Sequence, residues 1–179
     1  MGKIILLNGA SSSGKTTIAL ELQKLLPEPF LHFSFDHLRD GNILPMPRIQ
    51  SGEFEWLEMR SSVFEAYHRS LAAMAESGCN VLADHIIESE GWRAQLQQLL
   101  QPFDVFIVAV KCPPDILQLR ERQRGDRNTG DALRDAETCY DFCRHDFTVD
   151  SSFPAAQNAQ LIIEQWLKRD QEMLSRFRR

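Results

Sequence analysis

Long hydrophobic runs, paired cysteines and an excess of basic charge are all missing from this 179-residue chain. The longest unbroken apolar stretch runs from Val105 to Val110, far short of the ~20 residues a membrane-spanning helix needs. With 20 Lys and Arg against 25 Asp and Glu, the net charge is -5. That balance excludes a general nucleic-acid binder, which neutralises phosphates with clustered cations. The basic end (Lys168, Arg169, Arg176, Arg178, Arg179) is interleaved with Asp170 and Glu172 and reads as a solvated helix face. The cysteines are Cys79, Cys112, Cys139 and Cys143, and no C-x-x-C pair occurs. Cys139 and Cys143 share a helix face near His145, which suits small buried residues better than a metal site. The apolar start Ile4 to Leu7 is too short for a signal peptide and lacks a cleavage site. After Met1-Gly2 the sixth residue is Leu6, not the Ser or Thr of a myristoylation signal. The expectation is a cytoplasmic protein with neither nucleic acid nor membrane as partner; oligomeric state is left open.

What the chain does have is apolar runs of strand length alternating with helical periodicity. Ile4 to Leu7 predicts a strand buried on both faces. Thr16 to Leu26 predicts a helix through Ile18, Leu22 and Leu25, stopped by Pro27 and Pro29. Phe30 to Phe35 predicts a second strand closed by Asp36, and Asn42 to Gly52 an irregular loop. Glu53 to Ser77 predicts a long helix, and Asn80 to Ala83 a third strand closed by Asp84. Glu90 to Gln101 predicts a helix and Phe103 to Val110 a fourth strand. Helix is expected from Pro113 to Arg124 and from Asp131 to Arg144, on either side of a turn at Gly125 to Gly130. Phe147 to Val149 predicts a fifth strand before an amphipathic helix from Ala155. The alternation predicts an α/β protein, a parallel sheet covered by helices. No repeat or linker divides it, so residues 1–179 read as one domain.

One segment carries chemistry outright. Gly9-Ala10-Ser11-Ser12-Ser13-Gly14-Lys15-Thr16 matches G-x-x-x-x-G-K-[ST] at every fixed position, after a buried strand and before a helix. Glycines let the backbone N–H groups turn inward around a phosphate, and the helix start presents its positive dipole end to the same anion. Lys15 is expected to reach the β- and γ-phosphates of ATP and Thr16 to coordinate Mg²⁺. Thr17, just inside the helix, completes the nucleotide-binding set.

A P-loop alone does not separate a kinase from a switch. Asp84 stands where a Walker-B carboxylate holds Mg²⁺, with a helix-capping or loop aspartate as the alternative. Asp36 closes another strand at the ligand-binding edge of a parallel sheet. It suits a base that orients an acceptor hydroxyl, or a cap on the following turn. Arg120, Arg124 and Arg127 surround the Gly125-Asp126 turn, with Arg122 as a bystander. Guanidinium groups on such a segment, about 120–130, fit a lid that neutralises charge on the transferred phosphoryl group. The alternative is a solvated helix end paired with Glu121 and Asp126.

Taken together, these motifs resemble the chloramphenicol phosphotransferase-like family of small P-loop kinases. The residues that carry the resemblance are Ile5-Leu6-Leu7-Asn8-Gly9 into the P-loop, Leu26-Pro27-Glu28-Pro29-Phe30, Asp36 and Asp84. They continue with Arg120-Glu121-Arg122-Gln123-Arg124-Gly125-Asp126-Arg127 and Tyr140 through Asp150-Ser151-Ser152. The resemblance implies a five-stranded parallel sheet of order 2-3-1-4-5, ATP as donor with Mg²⁺, Asp36 as base and the arginine segment as lid. The stretch from His37 to Glu53 departs from the antibiotic kinase of that family in length and residues. The chemistry therefore carries over, and chloramphenicol as acceptor does not.

The expected activity is transfer of the γ-phosphoryl group of ATP to a hydroxyl of a small molecule. Segment 37–60 would cover that acceptor, with Phe33, Phe35, Met46, Phe54 and Trp56 as candidate pocket or core residues. Arg39, Arg48 and Arg60 are candidate holders of an anionic acceptor, and His37 and His85 read as loop histidines. A kinase of a nucleoside, sugar or shikimate-like metabolite is the alternative in the same class. A nucleotide-dependent switch is the alternative outside it, but the guanine-recognition pattern Asn-Lys-x-Asp is absent.

Overall fold

Continuous apolar runs become a parallel sheet when both of its faces are covered. In the computed structural model, which describes residues 1–124 and 130–176, they do so. The strands are β1 (Lys3–Asn8), β2 (Phe30–Ser34), β3 (Asn80–His85), β4 (Asp104–Lys111) and β5 (Phe147–Asp150). They form a five-stranded sheet of order β2-β3-β1-β4-β5 in which every pairing is parallel. The helices are α1 (Lys15–Leu25), α2 (Phe35–Asp40), α3 (Met46–Gln50) and α4 (Trp56–Glu76), followed by α5 (Glu90–Leu100), α6 (Pro114–Arg124), α7 (Asp131–Thr138) and α8 (Ala155–Arg176).

The period-2 alternation of a strand divides β1 between two cores. Ile5 and Leu7 join Ile18 and Leu22 of α1 and Ile162 and Trp166 of α8 on one face. Ile4 and Leu6 join Phe64, Tyr67 and Leu71 of α4 on the other. On the first face the Trp166 ring meets Phe106 edge-on at 5.6 Å, with the Arg169 guanidinium 4.2 Å above the indole.

Register sets the functional edge. Asn8 lies beside His85, and Asp84 beside both Leu7 and Ser34. The carboxyl ends of β1, β2 and β3 are thus level, which is where ligands gather in parallel sheets. Helix α1 ends at Leu25 because Leu26 precedes a proline and is driven extended, at φ -64° and ψ 137°.

Three expected boundaries are corrected. Asn42–Gly52 is not wholly irregular, since Pro47 sits in the first turn of α3, where a missing N–H costs no helix hydrogen bond. The helix after Gly130 stops at Thr138 instead of Arg144, with Cys139 as its C-cap. Most important, β2 ends at Ser34 and Asp36 lies in the first turn of α2. The Ser34 hydroxyl accepts the His37 N–H at 3.3 Å, and His37 Nδ1 accepts the Ser34 N–H at 3.2 Å. That reciprocal pair is a capping box with histidine in the usual glutamate place.

Candidate active site

The P-loop is built for an anion. A Cβ on Gly9 would stand 2.5 Å from the Val110 carbonyl oxygen, so only glycine lets the loop leave β1 this close to β4. Gly14 has φ +93°, and Ser12 is also left-handed at φ +60°, a conformation that costs a non-glycine residue energy and concentrates at functional sites. The hydroxyls of Ser12 and Ser13 are buried with no hydrogen-bond partner among the described residues. Buried hydroxyls left unpaired at the start of α1 suit an anionic ligand such as the phosphates of ATP.

Lys15 is buried, and its ammonium donates to the Ala10 carbonyl at 2.7 Å. Burial draws it below the usual lysine range, against the pull of Asp84. The Thr16 hydroxyl donates to Asp84 Oδ2 at 3.0 Å, so the two expected metal-site residues are in contact across α1 and β3. His32 Nε2 lies 2.9 Å from the same oxygen. Burial works to raise the Asp84 pKa, but the His32 hydrogen bond, the Lys15 charge and Thr16 together hold it below the ordinary value. Asp84 is therefore an ionised, oxygen-rich site beside a hydroxyl, a donor set that suits Mg²⁺. Below it, the Tyr67 hydroxyl donates to the Asp84 carbonyl at 3.0 Å and fixes the backbone.

Lys15, Thr16, Asp36, Asp84, Arg120 and Arg124 line one cleft of about 1010 Å³. Ser11, Ser12, Gly14 and Thr17 of the nucleotide-binding set also line it, while Gly9, Ala10 and Ser13 are buried behind its lining. Arg120 is tied down: it donates to the Ser13 carbonyl at 3.3 Å, the Ser151 hydroxyl at 3.1 Å and the Ser151 carbonyl at 2.7 Å. Arg124 approaches Asp36 at 3.6 Å, and Arg39 approaches it at 3.4 Å. Arg122 turns back to its own helix at Gln118. Arg127, and the part of the lid segment at 125–129, lie outside the described residues. Among the described residues Glu121 forms no ion pair with an arginine; it accepts the Gly130 and Ala132 N–H groups at the start of α7.

Of the aromatic candidates, Phe35 and Trp56 line the cleft, joined by Phe64. Phe33 packs on Tyr67, and Phe54 lies under Arg48. Of the candidate anion holders only Arg60 reaches the cleft, lying 4.6 Å over Trp92 and paired with Glu88. Sequence reasoning missed Glu88, Asp135 and the histidine pair. His85 is not a loop residue. It ends β3, buried, with Nδ1 accepting the Ile86 N–H at 2.8 Å and Nε2 2.8 Å from His68 Nε2. Burial, then His68, keeps its pKa well below the imidazole value. Cys139, Cys143 and His145 form no metal cluster among the described residues; burial pushes the Cys139 thiol up to about 12.

A P-loop before α1, a carboxylate at the end of β3 and arginines on α6 across one cleft define a P-loop kinase. The family model for chloramphenicol phosphotransferase-like protein matches residues 2–167. The chain belongs to that family and is a small-molecule O-phosphotransferase. Proteins of two Mycobacterium tuberculosis strains, each named "Putative O-phosphotransferase", are 27% identical over 170 residues, covering 84% of this chain and 76% of the relative. Among solved structures, M. tuberculosis APS kinase CysC in complex with AMPPNP and APS superposes with a TM-score of 0.69 at 18% identity. It covers 92% of this chain and 97% of that one. A gluconokinase from Sinorhizobium meliloti 1021 gives 0.68 at 16% identity, covering 98% and 97%. These two likenesses concern the fold. No described helix is long and apolar enough to cross a membrane.

Proposed function

We propose that the chain transfers the γ-phosphoryl group of ATP, with Mg²⁺, to a small-molecule hydroxyl, and that Asp36 orients and deprotonates that hydroxyl. The observation that carries this reading is one cleft holding the P-loop, the Thr16–Asp84 pair and, across from them, Asp36. Lys15 would leave Ala10 for the phosphate oxygens. Thr16 and Asp84 would hold Mg²⁺, which when bound neutralises charge on the phosphates. Arg124, and Arg127 of the lid segment, would face the charge that spreads over the equatorial oxygens. Arg120, clamped to Ser13 and Ser151, would act chiefly by holding the loop in shape. The hydroxyl proton passes to Asp36 as the bond to phosphorus forms and the bond to the β–γ bridging oxygen breaks.

Segment 37–60, running from α2 through α3 to the start of α4, would cover the acceptor. Trp56 and Phe35 offer it an apolar wall, and Arg60 with Glu88 a polar end. The one domain spans 1–179. The test is ATP turnover with a panel of hydroxyl acceptors, including chloramphenicol, nucleosides, sugars and shikimate. Stimulation by one class over slow hydrolysis supports the reading. If no acceptor raises turnover while ATP or GTP gates binding to another protein, the chain is a switch and the reading fails.

A further inference from the structure

Helix α7 sets a carboxylate directly on the P-loop. Ala132 is fully buried against Ala10, Leu117 and Cys139. Glu121 holds the helix start by accepting the Gly130 and Ala132 N–H groups, each at 2.8 Å. Three residues along the same helix face stands Asp135, whose Oδ2 accepts the Ser11 N–H at 3.1 Å. Ser11 belongs to the loop whose amides cradle phosphate. Lys15 is likewise satisfied within the chain, on Ala10. Two of the loop's phosphate-seeking donors are thus held by the protein itself.

Asp135 also differs from the other carboxylates of the cleft. Asp36, Asp84, Glu88 and Asp131 each lie within ion-pair distance of an arginine or histidine. Asp135 has no such contact among the described residues, and its carboxylate accepts from a neutral amide. An N–H already engaged by a carboxylate cannot serve an incoming phosphate, and the two anions repel at that distance.

We infer that Asp135 is an internal competitor for the phosphoryl donor: its carboxylate occupies a P-loop amide that nucleotide phosphate takes, and so it sets nucleotide affinity. Nucleotide entry breaks the Asp135–Ser11 hydrogen bond and frees that carboxylate from the loop. Binding of donor and the position of α7 are coupled through this one contact. The inference rests on the P-loop being the nucleotide site.

Calorimetric titration with a non-hydrolysable ATP analogue and Mg²⁺ tests it on the wild type, Asp135→Asn, Asp135→Ala and Lys15→Ala. Asparagine keeps an oxygen that accepts the Ser11 N–H, so the loop retains its contact without the charge. Asparagine keeps a neutral hydrogen bond and loses only its charge assistance, so the Asn variant should bind about five- to tenfold more tightly than the wild type. Alanine should bind at least as tightly as asparagine if it melts at the wild-type temperature. Equal or weaker binding by Asp135→Asn overturns the inference, as does a nucleotide complex in which Asp135 still accepts the Ser11 N–H. A wild type that binds no better than Lys15→Ala strikes down the P-loop assignment itself, and the inference with it. The two failures are therefore distinguishable.

Discussion

Arg124 Nη2, at the last residue of α6, lies 3.6 Å from Asp36 Oδ2 in the first turn of α2. Elements nearly ninety positions apart in sequence thus meet over the P-loop, joining the proposed base to the helix of arginines. Asp36 is held there by the Ser34–His37 capping box, a device of about 1 kcal/mol that fixes where the chain leaves β2. In the proposed reaction an acceptor hydroxyl would meet a carboxylate already positioned from both sides.

Replacing Asp36 with Asn keeps the size and removes the proton acceptor. Phosphoryl transfer should fall by about 10²- to 10⁴-fold, the usual general-base range, while nucleotide affinity stays within a few-fold. Rapid-quench turnover with parallel nucleotide titration measures both. An equal loss of nucleotide binding would make Asp36 part of the metal site.

Lys15→Ala removes the one ammonium buried in the P-loop. Transfer should fall by about 10²- to 10³-fold, the cost of deleting one preorganised donor to developing charge. Retained activity in a correctly folded variant would displace Lys15 from the phosphate site.

Asp84 is contacted by Thr16, His32 and, at its carbonyl, by Tyr67. Asp84→Asn should raise the Mg²⁺ needed for half-maximal turnover by about tenfold or more. His32→Ala, which disturbs only the support, should raise it by less than Asp84→Asn does. A Mg²⁺ requirement unchanged in both would remove Asp84 from the metal site.

Local signals explain how much of this was legible. The strands were readable because β1, β3 and β4 are apolar on both faces, and the P-loop because its loop needs glycine at fixed positions. Asp84 followed from an apolar run ending in a carboxylate. Asp36 stands in a helix turn and not at a strand end because Ser34 and His37, three residues apart, form a cap, and histidine in the glutamate place hides that box from the sequence. Asp135 could not be seen, because its partner Ser11 lies 124 positions away and no periodicity links α7 to the loop. The histidine pair joins α4 to β3 across 17 positions and is defined only by packing between elements.

That pair gives a pH dependence with a definite sign. His85 Nδ1 accepts the Ile86 N–H, so Nε2 carries the proton and donates to His68, whose Nδ1 then donates to Gln95. Both rings are neutral in this arrangement, and burial lowers both pKa values below 6.5, that of His85 well below. Below about pH 6.5 the unfolded chain binds protons that the folded protein refuses, so stability falls with falling pH. Above that value both states are neutral and the pair contributes no slope. His145, lowered by burial and Lys111, adds to the loss. Glu88 and Asp135, raised by burial, act in the opposite direction, but nearer the ordinary carboxylate range of 4.5 and 3.8. The urea midpoint should therefore drop between pH 7.5 and 5.5, and the double replacement His68→Leu with His85→Phe should flatten most of that slope. A wild-type midpoint constant across the interval would mean that the pair accepts a proton without disruption, and the neutral hydrogen-bond chain would have to be abandoned.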